Sequence, residues 1–528
     1  MDQLALLFVL LVGAVVSVPV GDRLKLPSPV LMTLLGLVLA LPDFVPNVDI
    51  PPDLILPALL PPLLYAAVRR TSWRQFTANK RPIFLLAVAL VFVTMIAVAA
   101  VAGAVVPGLP VAAAVALGAL VAPPDPIAAT AVAGQLGLPR RLVSILEGEG
   151  LFNDVTAITL YHVAIAAAVS GSFSLPGALL ELLLSAVVAI MVGAALGWVS
   201  NKVMDVLDDA TLQIGLTLLV PFASYVLAEE LHGSGVLAVL TTALFLAEYG
   251  TDPDDVLTRL AGHHFWEVVD TLVTGVAFGL IGLELHHAIG TAAGRWGEML
   301  GWAGAVVGVV ILVRLLWLLP ATWLTQRLHN RRDQEEDIPT SWRETIVMWW
   351  SGMRGVASVA LALAVPLEMD DGSPFPDRDE IVFIAFAVIV ATLVLQGLTL
   401  PWLVRLLGVR ADTEREKEFE KELAVRAARA AKKRLVEIER EEDLPEDLFE
   451  QMQRRAFDLG VRITPYVVED ERMQAHEKRV RRMKRIRRIQ GEMLSAARHE
   501  ILAARGEPGA DPEVVDRVLR HLDVRSLR

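Results

Sequence analysis

The sequence has 528 residues, of which 54% are hydrophobic, with a formal net charge of −12 and a positive mean hydropathy; this excludes an ordinary soluble globule and points to a polytopic membrane protein. It contains no cysteine, which excludes disulfides and thiolate metal sites. From Val409 onward, 28 Lys/Arg and 26 Asp/Glu fall within the last 120 residues, so a membrane domain, 1–408, is expected to give way to a cytoplasmic helical tail, 409–528.

At roughly 20 apolar residues per span, thirteen helices are expected, near 3–20, 28–41, 53–68, 82–107, 110–136, 142–169, 174–204, 210–231, 234–248, 262–286, 297–326, 342–366 and 380–407. The first follows Met1-Asp2-Gln3 with no basic segment or small-residue cleavage site, and is read as an uncleaved span. Alternate loops carry Arg23 and Lys25; Arg69, Arg70, Arg74, Lys80 and Arg81; Arg140 and Arg141; Lys202; Arg259; then Arg327, Arg331, Arg332 and Arg343. The intervening loops carry only Arg295 and Arg378. Because basic residues concentrate on the cytoplasmic side, the N-terminus is expected outside and the tail inside.

Two spans are interrupted. Pro123-Pro124-Asp125-Pro126 breaks the fifth and sets a carboxylate at the break, while Ser351-Gly352-Met353-Arg354-Gly355 breaks the twelfth around an arginine. Seven spans separate them, an odd number, so the two broken helices run in opposite directions. An all-α fold with inverted-topology repeats and two crossed discontinuous helices is expected, with substrate near the midplane.

The sixth span contains LEGEGLFNDVTAITLY, from Leu146 to Tyr161, and places Glu147, Glu149, Asn153 and Asp154 inside an apolar helix. Ionisable groups in hydrocarbon are functional by default. Asp154 is the candidate that binds either a cation or a proton, because withdrawal from water makes a bare carboxylate costly. Hard cations take oxygen ligands, available here from Asp154, Asp125 and carbonyls freed by the proline break. The plain structural reading is a carboxylate kept for helix packing. Glu149 and Asn153 share a helix face, from which Asp154 points away by roughly 140 degrees. Glu149 is therefore paired with Arg354 as a buried clamp between repeats. Arg314, the other arginine deep in a span, either pairs with Glu284 or lines a water-filled cavity.

Other residues weigh less. His263-His264 and His286-His287, near span ends, read as interfacial before they read as metal ligands, and Trp349 and Trp350 as packing or interface anchors. Gly275, Gly279 and Gly282 read as close helix contacts. No catalytic signature is present: there is no HExxH, no GxSxG and no phosphate-cradling GxxxxGK[ST]. A secondary transporter is expected, with no enzyme activity, catalytic residue, cofactor or structural metal.

These stretches carry a family resemblance. LEGEGLFNDVTAITLY resembles the LEGESLxND signature of the monovalent cation:proton antiporter family that includes animal sodium/proton exchangers and their bacterial relatives. LPPLLYAAV from Leu60, VAPPDPIAAT from Val121, IGLEL from Ile281, WSGMRGVASVALAL from Trp350 and VLQGLTLPWL from Val394 match in the same order. The resemblance implies a homodimer that exchanges sodium, with lithium or potassium as alternatives, for one proton by electroneutral, elevator-like alternating access. It implies that Asp154 is the shared carboxylate and Asn153 its typical neighbour, that Asp125 is the site acid with the Pro124 carbonyl as a ligand, and that Glu149 and Arg354 are the buried pair. The chain departs from the pattern at Gly150, Ala66 and Pro124, where many members have a serine, an acidic residue and a threonine, and these changes bear on cation selectivity. The expected setting is the cell membrane, in pH and cation homeostasis. The alternative is a cation channel or tail-gated sensor on the same scaffold.

In the tail, 412–440 and 469–505 read as solvated amphipathic helices. The run KRVRRMKRIRRI from Lys478 lies either on anionic membrane lipid or in a solvated or self-associating helix. Nucleic acid is not expected as a partner, since the basic and acidic counts nearly cancel and aromatics are sparse.

Overall fold

The computed structural model describes residues 3–24, 26–41, 51–70, 83–125, 137–171, 174–250, 256–291, 295–329, 341–410, 413–442, 444–463 and 473–504, with a few positions beyond. Among them the chain forms seventeen α-helices and no strand, with one isolated bridge between Glu368 and Pro374. Eight of the helices are long and apolar enough to cross a membrane, by length and composition. The described chain divides into two compact units, Met1–Ala411 and Asp412–Arg528.

In chain order the first unit contains α1 (Gln3–Leu24), α2 (Ser28–Leu39), α3 (Pro52–Arg70) and a π turn, Leu85–Ala89, that runs into α4 (Leu90–Val105). It continues with α5 (Val111–Val121), α6 (Arg140–Ser170), α7 (Leu175–Met204), α8 (Ala210–Glu230), α9 (Gly235–Tyr249) and α10 (Val256–Thr291). The last four are α11 (Trp296–His329), α12 (Trp342–Trp350), α13 (Val356–Leu363) and α14 (Arg378–Leu407). Hydroxyl and carboxylate side chains mark several starts: Ser174 accepts from Gly177, Asp209 from Thr211 and Leu212, Ser234 from Leu237, and Ser341 from Glu344. Each satisfies amides that the first helical turn leaves without a carbonyl.

The helices pack in two sets. In one, α10 lies along α1 and α2, and α7 along α9, with α3 and α8 beside them. In the other, α5 packs on α4 and α6, while α11 packs on α4, α12 and α14. Lipid is as apolar as leucine, so association depends on close backbone approach through small residues. At Gly282 of α10 a Cβ would run into the Thr33 carbonyl and the Leu37 amide of α2. The expected close contacts at Gly275 and Gly279 are likewise present, against Ala14 and Leu10 of α1.

Both expected breaks occur. The fifth span is helical to Val121 and non-helical at 122–125, and the rest of it, 126–136, lies outside the described residues. The twelfth is divided into α12 and α13 by residues 351–355.

The second unit contains α15 (Thr413–Glu442), α16 (Glu446–Ile463), which packs on α15, and α17 (Met473–Ala504). Surface ion pairs such as Glu422–Arg426 at 2.6 Å and Arg434–Glu437 at 3.2 Å lace α15. The basic run falls within α17, but the side chains of Val480, Met483 and Ile486 lie outside the described residues.

Candidate cation and proton site

Proline makes the first break, and the consequences follow from counting donors. In a continuous helix the carbonyls of residues 119 to 122 receive N–H groups from residues 123 to 126. Three of those four are prolines, which have none to give. The remaining amide, that of Asp125, donates instead to the carbonyl of Met353 in the other break, at 2.6 Å. α5 therefore ends in buried carbonyls without helical partners. Arg354 supplies the missing donors: its Nε donates to the Val121 carbonyl at 2.9 Å, its Nη2 to the Ala122 carbonyl at 3.3 Å, and its Nη1 to the carbonyl of Gly352 in its own loop. The backbone amide of Arg354 donates to Thr392 Oγ1 at 3.2 Å, which ties the loop to α14.

The second break is completed from the first. α13 opens with amides that need an acceptor, and Asp125 Oδ2 accepts from the Val356 amide at 3.2 Å. Residue 355 has to be glycine for this approach, because a Cβ there would overlap the Asp125 carboxylate. A cation thus sits at the C-terminal end of one half-helix and an anion at the N-terminal end of the other, as the helix dipoles favour.

Against this crossing lies α6. Asn153 is fully buried, and its Nδ2 donates to the Pro124 carbonyl at 2.6 Å. Its Oδ1 is buried with no hydrogen-bond partner among the described residues. The neighbouring Asp154 is half-buried, and no hydrogen bond or ion pair from the described residues holds it. Asp125 is the charged group acting on it, and the two carboxylates repel. An orphaned amide oxygen, a carbonyl and two close carboxylates make an oxygen-rich pocket that a hard monovalent cation or a proton would neutralise. The structure thus brings together Asp154, Asp125, Asn153 and Pro124.

The expected pairing of Glu149 with Arg354 is corrected. Glu149 is gripped by Arg314 of α11, whose Nη1 and Nη2 donate to its two carboxylate oxygens, the second at 2.9 Å. Nε and Nη2 of Arg314 also donate to the Met348 carbonyl at the end of α12, each at 3.2 Å. A planar fork against a carboxylate is the geometry in which arginine binds most strongly, and both side chains are almost wholly buried. The two readings of Arg314, as a partner of Glu284 or as a cavity lining, are corrected by the same contacts. Arg354 is unavailable to Glu149 because the proline break has claimed its donors. That role had a sequence signal, the three missing amides; the grip of Arg314 on Glu149 had none.

The remaining candidates have local roles. Trp349 Nε1 donates to the Ile311 carbonyl at 2.8 Å and Trp350 Nε1 to Thr399 Oγ1 at 2.7 Å, so both tryptophans pack. His263 and His264 are exposed, with His264 3.7 Å from Glu267. The side chains of His286 and His287 lie outside the described residues. Among the described residues no group of three or more His, Cys, Asp or Glu is placed to hold a metal.

The transmembrane domain of sodium/hydrogen exchangers matches residues 6–406 of this chain. The chain belongs to that family. An uncharacterized Na(+)/H(+) exchanger of Mycobacterium tuberculosis is 31% identical over 99% of this chain and 96% of its own length, so the likeness continues into the second unit. The Na(+)/H(+) antiporter ApNhaP of Aphanothece halophytica is 30% identical over 76% of this chain and 74% of its own. The structure of the sodium proton antiporter MjNhaP1 from Methanocaldococcus jannaschii superposes with a TM-score of 0.60 at 20% identity, covering 77% of this chain and 98% of that one. The fold is therefore the antiporter fold. The exchanger is a multi-pass membrane transporter of a cation and protons, and its family is one of transporters, not enzymes.

Proposed function

We propose that the exchanger trades one monovalent cation, sodium first, for one proton by electroneutral alternating access, with Asp154 as the group both ions share. The observation that carries this reading is the contrast at the crossing: Arg354 and Asp125 are held by backbone groups, Glu149 is held by Arg314, and Asp154 is held by nothing among the described residues. A carboxylate in that position binds a cation or a proton but not both, which couples the two fluxes. Asn153 beside it is neutral, so the pair carries one exchangeable charge, and one proton balances one monovalent cation. The Asn153 Oδ1 and the Pro124 carbonyl complete an oxygen set for the ion. Because Gly150 and Pro124 bring no side-chain hydroxyl, ligands beyond these oxygens are backbone or water, and lithium and potassium stand as further substrates. A homodimer in the cell membrane, with the N-terminus outside, a cytoplasmic tail that regulates, and a role in pH and cation homeostasis, completes the reading.

The test is proton flux in sealed proteoliposomes with an imposed pH gradient, for wild type and Asp154→Asn. Added sodium should dissipate the gradient in wild type and not in the variant, at a rate indifferent to membrane potential. A potential-driven current without proton movement would instead make the protein a channel.

A further inference from the structure

On the side of α6 beyond Asp154, the first unit contains a cavity of about 520 Å³. Its walls are the last turns of α6, the first turns of α7, and the end of α8 with the turn into α9. Its floor reaches Thr159, five residues past Asp154, or about 7.5 Å of helix rise. The basic ends of α6 and α7, at Arg140–Arg141 and Lys202, are the opposite ends of those helices, so the cavity opens on the outer side by the distribution of positive charge.

The charged groups around it come from every wall. His162 projects from α6, Glu181 from α7, Glu229 from the end of α8 and His232 from the following turn. Glu229 is fixed in place, because its Oε1 accepts from the Gly235 amide at 2.9 Å and so caps α9. Glu229 is also the charged group that acts on His162, and the phenol of Tyr225, the other titratable group beside Glu229, is buried. His162 of α6 thus shares the cavity with a carboxylate held in place by the Gly235 amide. A cleft bearing one sign of charge raises the local concentration of the opposite ion.

We propose that this cavity is the outer entrance for the transported cation, and that His162 sets its charge: neutral His162 leaves Glu229 and Glu181 to gather cations, and protonated His162 cancels Glu229. The proposal rests on the exchange reading above and adds to it a second pH dependence, located outside the site. The sign follows from charge alone: with His162 neutral, at outside pH 8, the entrance is negative and the apparent KM for outside cation is low; acidification that protonates His162 cancels Glu229, and the KM rises by more than competition at Asp154 alone produces.

The experiment uses the full chain in right-side-out membrane vesicles, measuring the apparent KM for sodium at outside pH 8 and 5.5. Wild type should show the larger rise on acidification, and His162→Gln a rise smaller by roughly tenfold, the low end of the effect of a charged cleft. Glu229→Gln keeps an acceptor for the Gly235 amide while losing the charge, and should raise the KM at pH 8 by a similar factor. Because the chain has no cysteine, Ala166→Cys gives a single thiol on the cavity wall, and a membrane-impermeant thiol reagent should label it from outside. Labelling from the inner side alone, or His162→Gln following wild type across the pH range while exchange persists, overturns the entrance and leaves the exchange reading standing. Absence of sodium/proton exchange in wild type overturns both.

Discussion

Glu149 and Asp154 stand five residues apart on the same helix, are the same kind of acid, and meet opposite circumstances. Glu149 is clasped by a buried guanidinium with two parallel bonds, whereas Asp154 faces another carboxylate and no cation among the described residues. Burial of a charge is tolerable when it is paired and hydrogen-bonded. The first acid is therefore structural, and the second holds an unmet demand for positive charge. An apolar helix with several acids does not declare which one is paired; the distribution of cations around it does.

The largest effect expected from this contrast comes from Arg314→Ala. It strands Glu149 in the core, and the loss should be about 3–5 kcal/mol, read as a collapse of folded yield in detergent. Asp154→Asn should lower thermal stability little or not at all while abolishing exchange. Equal losses of stability in the two variants would break the comparison. Next in size is Gly355→Ala, which forces the Asp125 carboxylate off the α13 amide; overpacking of this kind costs about 1–3 kcal/mol, measurable as a lower melting temperature with exchange impaired. Asn153→Ala removes one hydrogen bond to the Pro124 carbonyl, a loss of about 1 kcal/mol, and sharpens the comparison if the apparent KM for the cation rises more than stability falls.

The smallest effect is expected far from the crossing. Asp209 caps α8, and the amides of Leu212 and Thr211 hold its carboxyl below the usual carboxylate range. A depressed folded value means that the stabilisation is present at neutral pH and is lost as the pH falls through that lower value. Asp209→Ala should lower the melting temperature slightly at pH 7, with the difference from wild type closing only in strong acid.

Much of this was legible in the residues. The two breaks announce themselves through prolines, glycines and charges in apolar stretches, and the acid at Asp154 is conspicuous because the surrounding helix has no other use for it. The pairing of the arginines was not legible. Glu149 chooses between Arg314 and Arg354 according to which face α11 turns toward α6, a tertiary fact that helical spacing within one element does not contain. Arg354 was half visible: counting the amides lost to Pro123, Pro124 and Pro126 predicts a donor for the end of α5, and the nearest unsatisfied arginine is the natural supplier. The partly acid-lined cavity beyond Thr159 is assembled from three separate helix ends and has no signature in any one of them.

The stitch between the breaks has a further consequence. Asp125 and Met353 share a backbone bond, Arg354 reaches back to Val121 and Ala122, and Asp125 reaches forward to Val356. Parting the two loops would expose two charges and several bare backbone groups to hydrocarbon at once, a penalty of several kcal/mol by any accounting of unpaired polar groups. The two breaks are therefore joined as one unit, and a rearrangement of the surrounding helices that kept this seam closed would avoid that penalty.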